Sequence, residues 1–180
     1  MMYFNYSPKY LFVLILISGL AASCSVKVED GAPDNYARNW DEIPDAVPKD
    51  EAKSKYGNPG SYEVFGKRYY VMDSSEGFKQ KGDASWYGTK FHGQRASSGE
   101  TYNMYAMTAA HKTLPMNVHL KVTNLNNGQS TVVRVNDRGP FVKSRIIDLS
   151  YSAAKQLGVV GPGTAPVRIE ALGYQEKVKA

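Results

Sequence analysis

Between Gly82 and Leu172 the chain carries only five carboxylic side chains: Asp83, Glu100, Asp137, Asp148 and Glu170. A positioned carboxyl group can give or take a proton, so these five bound the acid–base chemistry open to the region. Asp83 precedes a strand-like run and reads as solvated. Glu170 alternates with apolar neighbours in PVRIEAL, which turns it toward water. Three acids remain. Asp137 closes the strand-like VRVN and leads into Gly139-Pro140. Asp is a common turn residue there, because its side chain caps nearby backbone N–H groups. A strand end in a cleft also suits a proton donor. Asp148 stands in IIDLS, just ahead of Ser150, where an acid can simply cap a helix. Glu100 follows Ser98-Gly99. Arg138 adjoins Asp137, and a nearby cation would lower the acid's pKa where a general acid needs a raised one, so burial or a second carboxylate such as Glu100 would have to win. Three scattered histidines (His92, His111, His119) and one cysteine give no metal-ligand spacing, so no metal is expected. Neither a phosphate-binding Gly-rich loop nor G-x-S-x-G is present, and no cofactor is expected.

These residues must be held by short strands. ASWYG at 84–88, MYAMTAA at 104–110, VHLKVTN at 118–124, STVVRVN at 130–136, RIID at 145–148 and PVRIEAL at 166–172 are strand-like in length and rich in β-formers. LNNGQ at 125–129 reads as a hairpin turn. Ser150 or Ser152 caps one short helix, SAAKQLG, and Gly158 stops it. Six strands and one helix predict a mainly β, small closed barrel over 82–173. Ahead of it, 56–81 reads as an arm that packs on the barrel, with a hairpin in EVFGKRYYV around Gly66-Lys67.

The ends have different physics. LFVLILISGLAA at 11–22 is apolar but too short for a bilayer, which takes about 20 residues. It reads as the core of a secretory signal over 1–23. The following AASC resembles a bacterial lipobox, with Ala21 where Leu is usual. The resemblance implies lipidation of Cys24, a membrane anchor and, with Ser25 next, outer-membrane delivery facing the periplasm. Residues 24–55 hold 5 Lys/Arg against 8 Asp/Glu and three prolines, which suggests a disordered linker. Residues 174–180 read as a tail. From Tyr56 onward 16 Lys/Arg face 9 Asp/Glu, so an anionic partner is expected. An exported protein has no nucleic acid to meet, which leaves an anionic envelope polymer.

GDASWYGTKFHGQRASSGETYNMYAMTAAHKTLP, VTNLNNGQSTVVRVNDRGPF, RIIDLSYSAAKQLGV and GTAPVRIEAL together resemble the rare lipoprotein A family. The resemblance implies a six-stranded double-psi β-barrel. It implies a lytic transglycosylase that cuts peptidoglycan glycan strands, preferring strands stripped of stem peptides, and it leaves an expansin-like binder as the alternative. It implies catalysis by Asp137 and Glu100, which match the acids of the family's N-D-R-G-P and N-G-E motifs. His111 matches a motif histidine that orients a carboxylate or binds sugar. Asp148 resembles an acid of expansins. The donor is either Asp137 or Glu100, with the other stabilising the cation. Trp86, Tyr87 and Tyr102 would stack on sugar faces. Lys112, Arg134, Arg138 and Arg145 would meet lactyl carboxylates, Arg138 foremost. A monomer is expected.

Overall fold

The computed structural model describes residues 30–33, 43–49, 51 and 54–172. The signal segment, Cys24 and the tail lie outside the described residues.

A two-stranded hairpin comes first, β1 (Ser61–Val64) and β2 (Lys67–Tyr70). Then follow β3 (Lys79–Tyr87), β4 (Thr108–His111), β5 (His119–Asn124), β6 (Ser130–Asp137), β7 (Arg145–Ser150), α1 (Tyr151–Gln156) and β8 (Ala165–Leu172). Strands β3 to β8 close a barrel in the order β3-β7-β4-β6-β5-β8. Two of its pairs, β3/β7 and β4/β6, are parallel, and the other four are antiparallel. This is the expected double-psi barrel with one short helix.

Alternation builds the interior. In β6, Val133 and Val135 are wholly buried, while Val132 and Arg134, which alternate with them, are only partly covered. Leu120, Val122, Ile147, Leu149, Val167 and Ile169 fill the same core. Tyr87, Tyr102, Met104, Ala110 and Tyr151 form a second cluster, and Trp86 packs against both. Ser150 caps α1 by accepting from the Ala153 N–H, and Gly158 follows the helix at φ 71°. Asp148 is therefore not the cap.

Two register breaks matter for the site. Ala109 pairs with Val135 but Ala110 pairs with Asp137, so Asn136 is the extra residue of a β-bulge. Such a bulge re-aims the end of a strand. A second break lies between Asp83 and Ala84 on β3.

Several boundaries differ from expectation. β3 begins at Lys79, inside the stretch read as the arm. MYAMTAA yields only the short β4, because Asn103 accepts the N–H groups of Tyr105 and Ala106 and holds 103–106 as a turn. The hairpin turns at Phe65-Gly66, one residue earlier than expected; both have positive φ, at 50° and 73°. The linker expectation needs correction where the chain is described. Gly31 O accepts from Thr89, Ala46 N–H donates to Val132 O, and Ile43 and Ala46 pack on the core. These are isolated docking points without periodicity, so no sequence pattern marks them.

Candidate functional site

One cleft of about 420 Å³ opens over the end of the barrel. Asp137 and Asp148 both line it, with Trp86, Tyr87, Phe91 and Phe141. Strand register brings the two acids together. Ala110 on β4 pairs with Asp137 on β6 to one side and with Asp148 on β7 to the other. The two acids are thus two strand spacings apart, roughly 10 Å between backbones. Between them stands only a methyl group.

Their surroundings differ. Oδ1 of Asp137 accepts three donors: the Ser97 N–H (2.9 Å), the Ser97 hydroxyl (2.5 Å) and the Arg138 N–H (2.8 Å). Asp148 pairs with Ser85 across β3 and β7, and Ser85 Oγ donates to its Oδ1 at 2.6 Å. Arg145 donates to Ser85 Oγ at 2.6 Å and holds its Nε 3.5 Å from Asp148 Oδ1. Burial raises the Asp148 carboxyl above the ordinary carboxylate range, against the hydrogen bond from Ser85 and the charges of Arg145 and Lys112.

Glu100 does not join them. Arg134 holds it in a two-pronged pair, Nη1 to Oε1 at 2.9 Å and Nη2 to Oε2 at 2.8 Å, and Asn136 donates to Oε2 at 3.2 Å. These bonds, that from Arg134 foremost, lower its carboxyl below the usual range despite partial burial. Glu100 and Arg134 line a separate depression of about 390 Å³ with His119 and Lys49. The bulge turns Asn136 toward Glu100 while the neighbouring Asp137 faces the cleft. Glu100 is linked to Asp137 through Asn136 and through the turn 96–100, closed by Ala96 N–H to Glu100 O and Gly99 N–H to Ala96 O. That turn also carries Ser97.

Three more expected site residues take structural places. His111 is buried, and its Nδ1 accepts the N–H groups of Thr113 (3.2 Å) and Leu114 (3.0 Å). Burial, with Arg138 and Lys112 nearby, lowers its pKa to about 3, so the ring is neutral at pH 7. Tyr102 is 2% exposed and donates its hydroxyl to Tyr87 O at 2.6 Å, stacked on Tyr87 at 4.2 Å. Its ring is core rather than sugar platform. Arg138 turns its guanidinium away from the neighbouring acid. Nε and Nη2 donate to Gly57 O (3.0 and 2.6 Å), Nη1 to His111 O (3.1 Å) and Leu114 O (2.5 Å), and Nη2 also to Asn58 Oδ1 (3.3 Å). A guanidinium has five N–H donors, and all five are taken. Of the expected basic contacts, Lys112 binds the Arg145 carbonyl and Arg134 binds Glu100. Arg138 and Arg145 both line the cleft, although every guanidinium donor of Arg138 is already taken.

Trp86 and Tyr87 do line the cleft, although Tyr87 is 8% exposed and shows it little more than an edge. Sequence reasoning missed Phe65 as a cleft residue, and Ser85 and Ser97 as the partners that hold the two acids. Ser97 and Ser85 carry no signal beyond being serine. Asp30, from the stretch read as linker, also reaches the cleft and accepts the N–H groups of Gly88 (2.9 Å) and Lys90 (3.2 Å).

A family model described as "Lytic transglycolase" matches residues 79–169, half of the chain. The chain is similar to the endolytic peptidoglycan transglycosylase RlpA of Vibrio cholerae, 50% identical over 176 residues, covering 94% of this chain and 65% of that protein. The protein of the same name in Pseudomonas aeruginosa PAO1 is 48% identical, covering 87% of this chain and 51% of that one. The chain thus spans about half to two thirds of the length of these curated relatives. Among solved structures, the Streptomyces papain inhibitor aligns at a TM-score of 0.45 and 23% identity, over 56% of this chain and 100% of that one.

Proposed function

This chain belongs to the lytic transglycolase family, and from that premise we propose that it cleaves the MurNAc–GlcNAc bond of peptidoglycan without water, leaving a 1,6-anhydroMurNAc end. The observation that carries the reading is the pair Asp137 and Asp148 in one aromatic-walled cleft, in unlike surroundings. Unlike surroundings are what divide acid from base roles between two carboxyls.

Asp148 is the proton donor. Its burial lets it keep a proton at higher pH than an exposed acid. It protonates the glycosidic oxygen of the leaving GlcNAc as the bond to C1 breaks. Positive charge develops at C1, as in other glycoside cleavages. Asp137 is held through Oδ1, so its second oxygen is free to face that charge. The C6 hydroxyl oxygen attacks C1 and Asp137 takes its proton. The anhydro ring closes, no water is consumed, and the proton returns to Asp148 through solvent as product leaves.

Glu100 positions the turn that brings Ser97 to Asp137. Peptide-stripped strands are the preferred substrate, with Arg145 on the cleft wall meeting a lactyl carboxylate. The chain is anchored by a lipid on Cys24 in the bacterial envelope, at the outer membrane. Cys24 is six residues from Asp30 at the cleft, and six extended residues reach at most about 20 Å. The cleft would therefore work close to the lipid surface.

The test is mass spectrometry of peptide-free glycan digested by a soluble form starting at Ser25. Products with anhydro ends support the reading. Products that have gained water mean a hydrolase. Intact glycan that nonetheless binds means an expansin-like module.

A further inference from the structure

Phe65 breaks two local rules at once. It holds the first position of the two-residue turn between β1 and β2 with φ 50°. That position favours Asn, Asp or Gly, because a left-handed conformation costs an ordinary L-residue about 1 kcal/mol or more. Its ring is also 93% exposed, so the side chain adds almost no burial to offset that cost. A turn chosen for stability alone would not carry Phe there. Residues that break local rules without a stability gain are where function is expected.

The ring's place is specific. Phe65 lines the same cleft as Asp137 and Asp148, together with Phe91, Phe141 and Val142. The hairpin that carries it is fastened at its base. Tyr62 and Tyr69 stack at 5.3 Å, Phe141 packs on both at 6.2 and 5.6 Å, and the Tyr62 hydroxyl donates to Lys112 O at 2.7 Å. Met72 N–H adds a bond to Thr113 O at 2.8 Å. Phe141 thus serves both the hairpin's footing and the cleft wall, which fixes the tip relative to the acids.

We infer that the tip of this hairpin is a saccharide subsite, in which Phe65 stacks on the apolar face of a pyranose ring away from the scissile bond. The inference rests on the glycan reading of the cleft. A ring already exposed and already aimed loses little freedom on binding and gains the burial that folding withheld. The occupant is a sugar of the strand being cut, because the wall is continuous from Phe65 to the two carboxyls.

The test uses Phe65→Ala, Phe65→Trp and, as control, Tyr70→Ala. Tyr70 lies on the same hairpin, is 68% exposed and does not line the cleft. Binding of peptide-free glycan and the rate of its cleavage are measured with melting temperature alongside. Phe65→Ala is expected to raise the half-saturating glycan concentration about tenfold, the order set by burying one face of a phenyl ring. The maximal rate and melting temperature should hold, Phe65→Trp should restore binding, and Tyr70→Ala should behave as wild type. Equal glycan binding by Phe65→Ala and wild type overturns the inference alone. A Tyr70→Ala loss as large as that of Phe65→Ala also overturns it, since a general apolar surface would then be at work. A wild-type chain that binds no glycan overturns the reading of the cleft, and the subsite with it.

Discussion

Asp137 and Asp148 stand in one cross-strand row, with Ala110 between them. Strand β4, from earlier in the chain, lies between the consecutive strands β6 and β7 to make that row, and the small central side chain leaves its floor open. Both acids are expected to be required. Asp137→Asn and Asp148→Asn should each lower turnover on peptide-free glycan about 10² to 10⁴-fold, the usual cost of losing a general acid or base. The double variant should be little worse than the worse single one. Full turnover in a well-folded Asp148→Asn protein would remove the donor role proposed for it.

The same variant has a second, pH-dependent signature. The folded-state pKa of Asp148 is raised by burial, so its protonated form favours folding and its charged form opposes it. The wild type's advantage is present below the unfolded value and is lost as pH rises through the folded one. Asp148→Asn, which cannot charge, should therefore melt no lower than wild type at pH 7, and the difference should shift toward the wild type near pH 4. A helix cap would give a loss at every pH, but the cap is Ser150.

Ser97 supplies two of the three donors on Asp137 Oδ1. Ser97→Ala removes the hydroxyl and keeps the N–H. Stability should fall by about 1 kcal/mol. Turnover should drop further than that loss explains, with little change in half-saturation, because the base is misdirected rather than the substrate released. Steady-state kinetics with denaturation at the same pH separates the two effects.

Glu100 and Arg134 should act as one unit. Each holds the other, and together they hold the turn that carries Ser97. Glu100→Gln and Arg134→Ala should lower turnover by similar factors, and the double variant should be no worse than either. Additive losses would mean that Glu100 acts in the chemistry by a route of its own.

His111 should govern part of the acid sensitivity. Its pKa falls from 6.5 to about 3 on folding, so between these values the unfolded chain binds a proton that the folded one refuses. Stability from this group is present above pH 6.5 and drains away as pH falls, by up to about 1.4 kcal/mol per pH unit. His111→Asn keeps an acceptor for the N–H groups of Thr113 and Leu114. It should be less stable at pH 7 but have a flatter profile from pH 6.5 to 4. An unchanged slope in denaturation curves would show that His119 or another group carries the effect.

The segment at 30–33 depends on a glycine. A Cβ at Gly88 would lie 2.1 Å from Gly31 O, so Gly88→Ala should push this segment off the barrel. The N–H groups of Gly88, Thr89 and Lys90, now bonded to Asp30 and Gly31, should then exchange with deuterium faster. Unchanged protection there would mean that the segment shifts without leaving.

The chain's local pattern determined the barrel's strands, the helix α1 and the end of β6 as the place for an acid. These features follow from alternation, capping and turn chemistry, which act between residues a few positions apart. The partner of that acid was decided elsewhere. Asp148 reaches the cleft because β4 lies between β6 and β7, and Glu100 misses it because the bulge at Asn136 turns the neighbouring side chain the other way. Arg138, next to Asp137 in sequence, does not face it. Its donors go to carbonyls at 57, 111 and 114, which only the folded chain gathers. The docking of residues 30–33 rests on backbone groups and the bare Cα of Gly88, and backbone groups are alike at every position, so only tertiary structure could show where they meet.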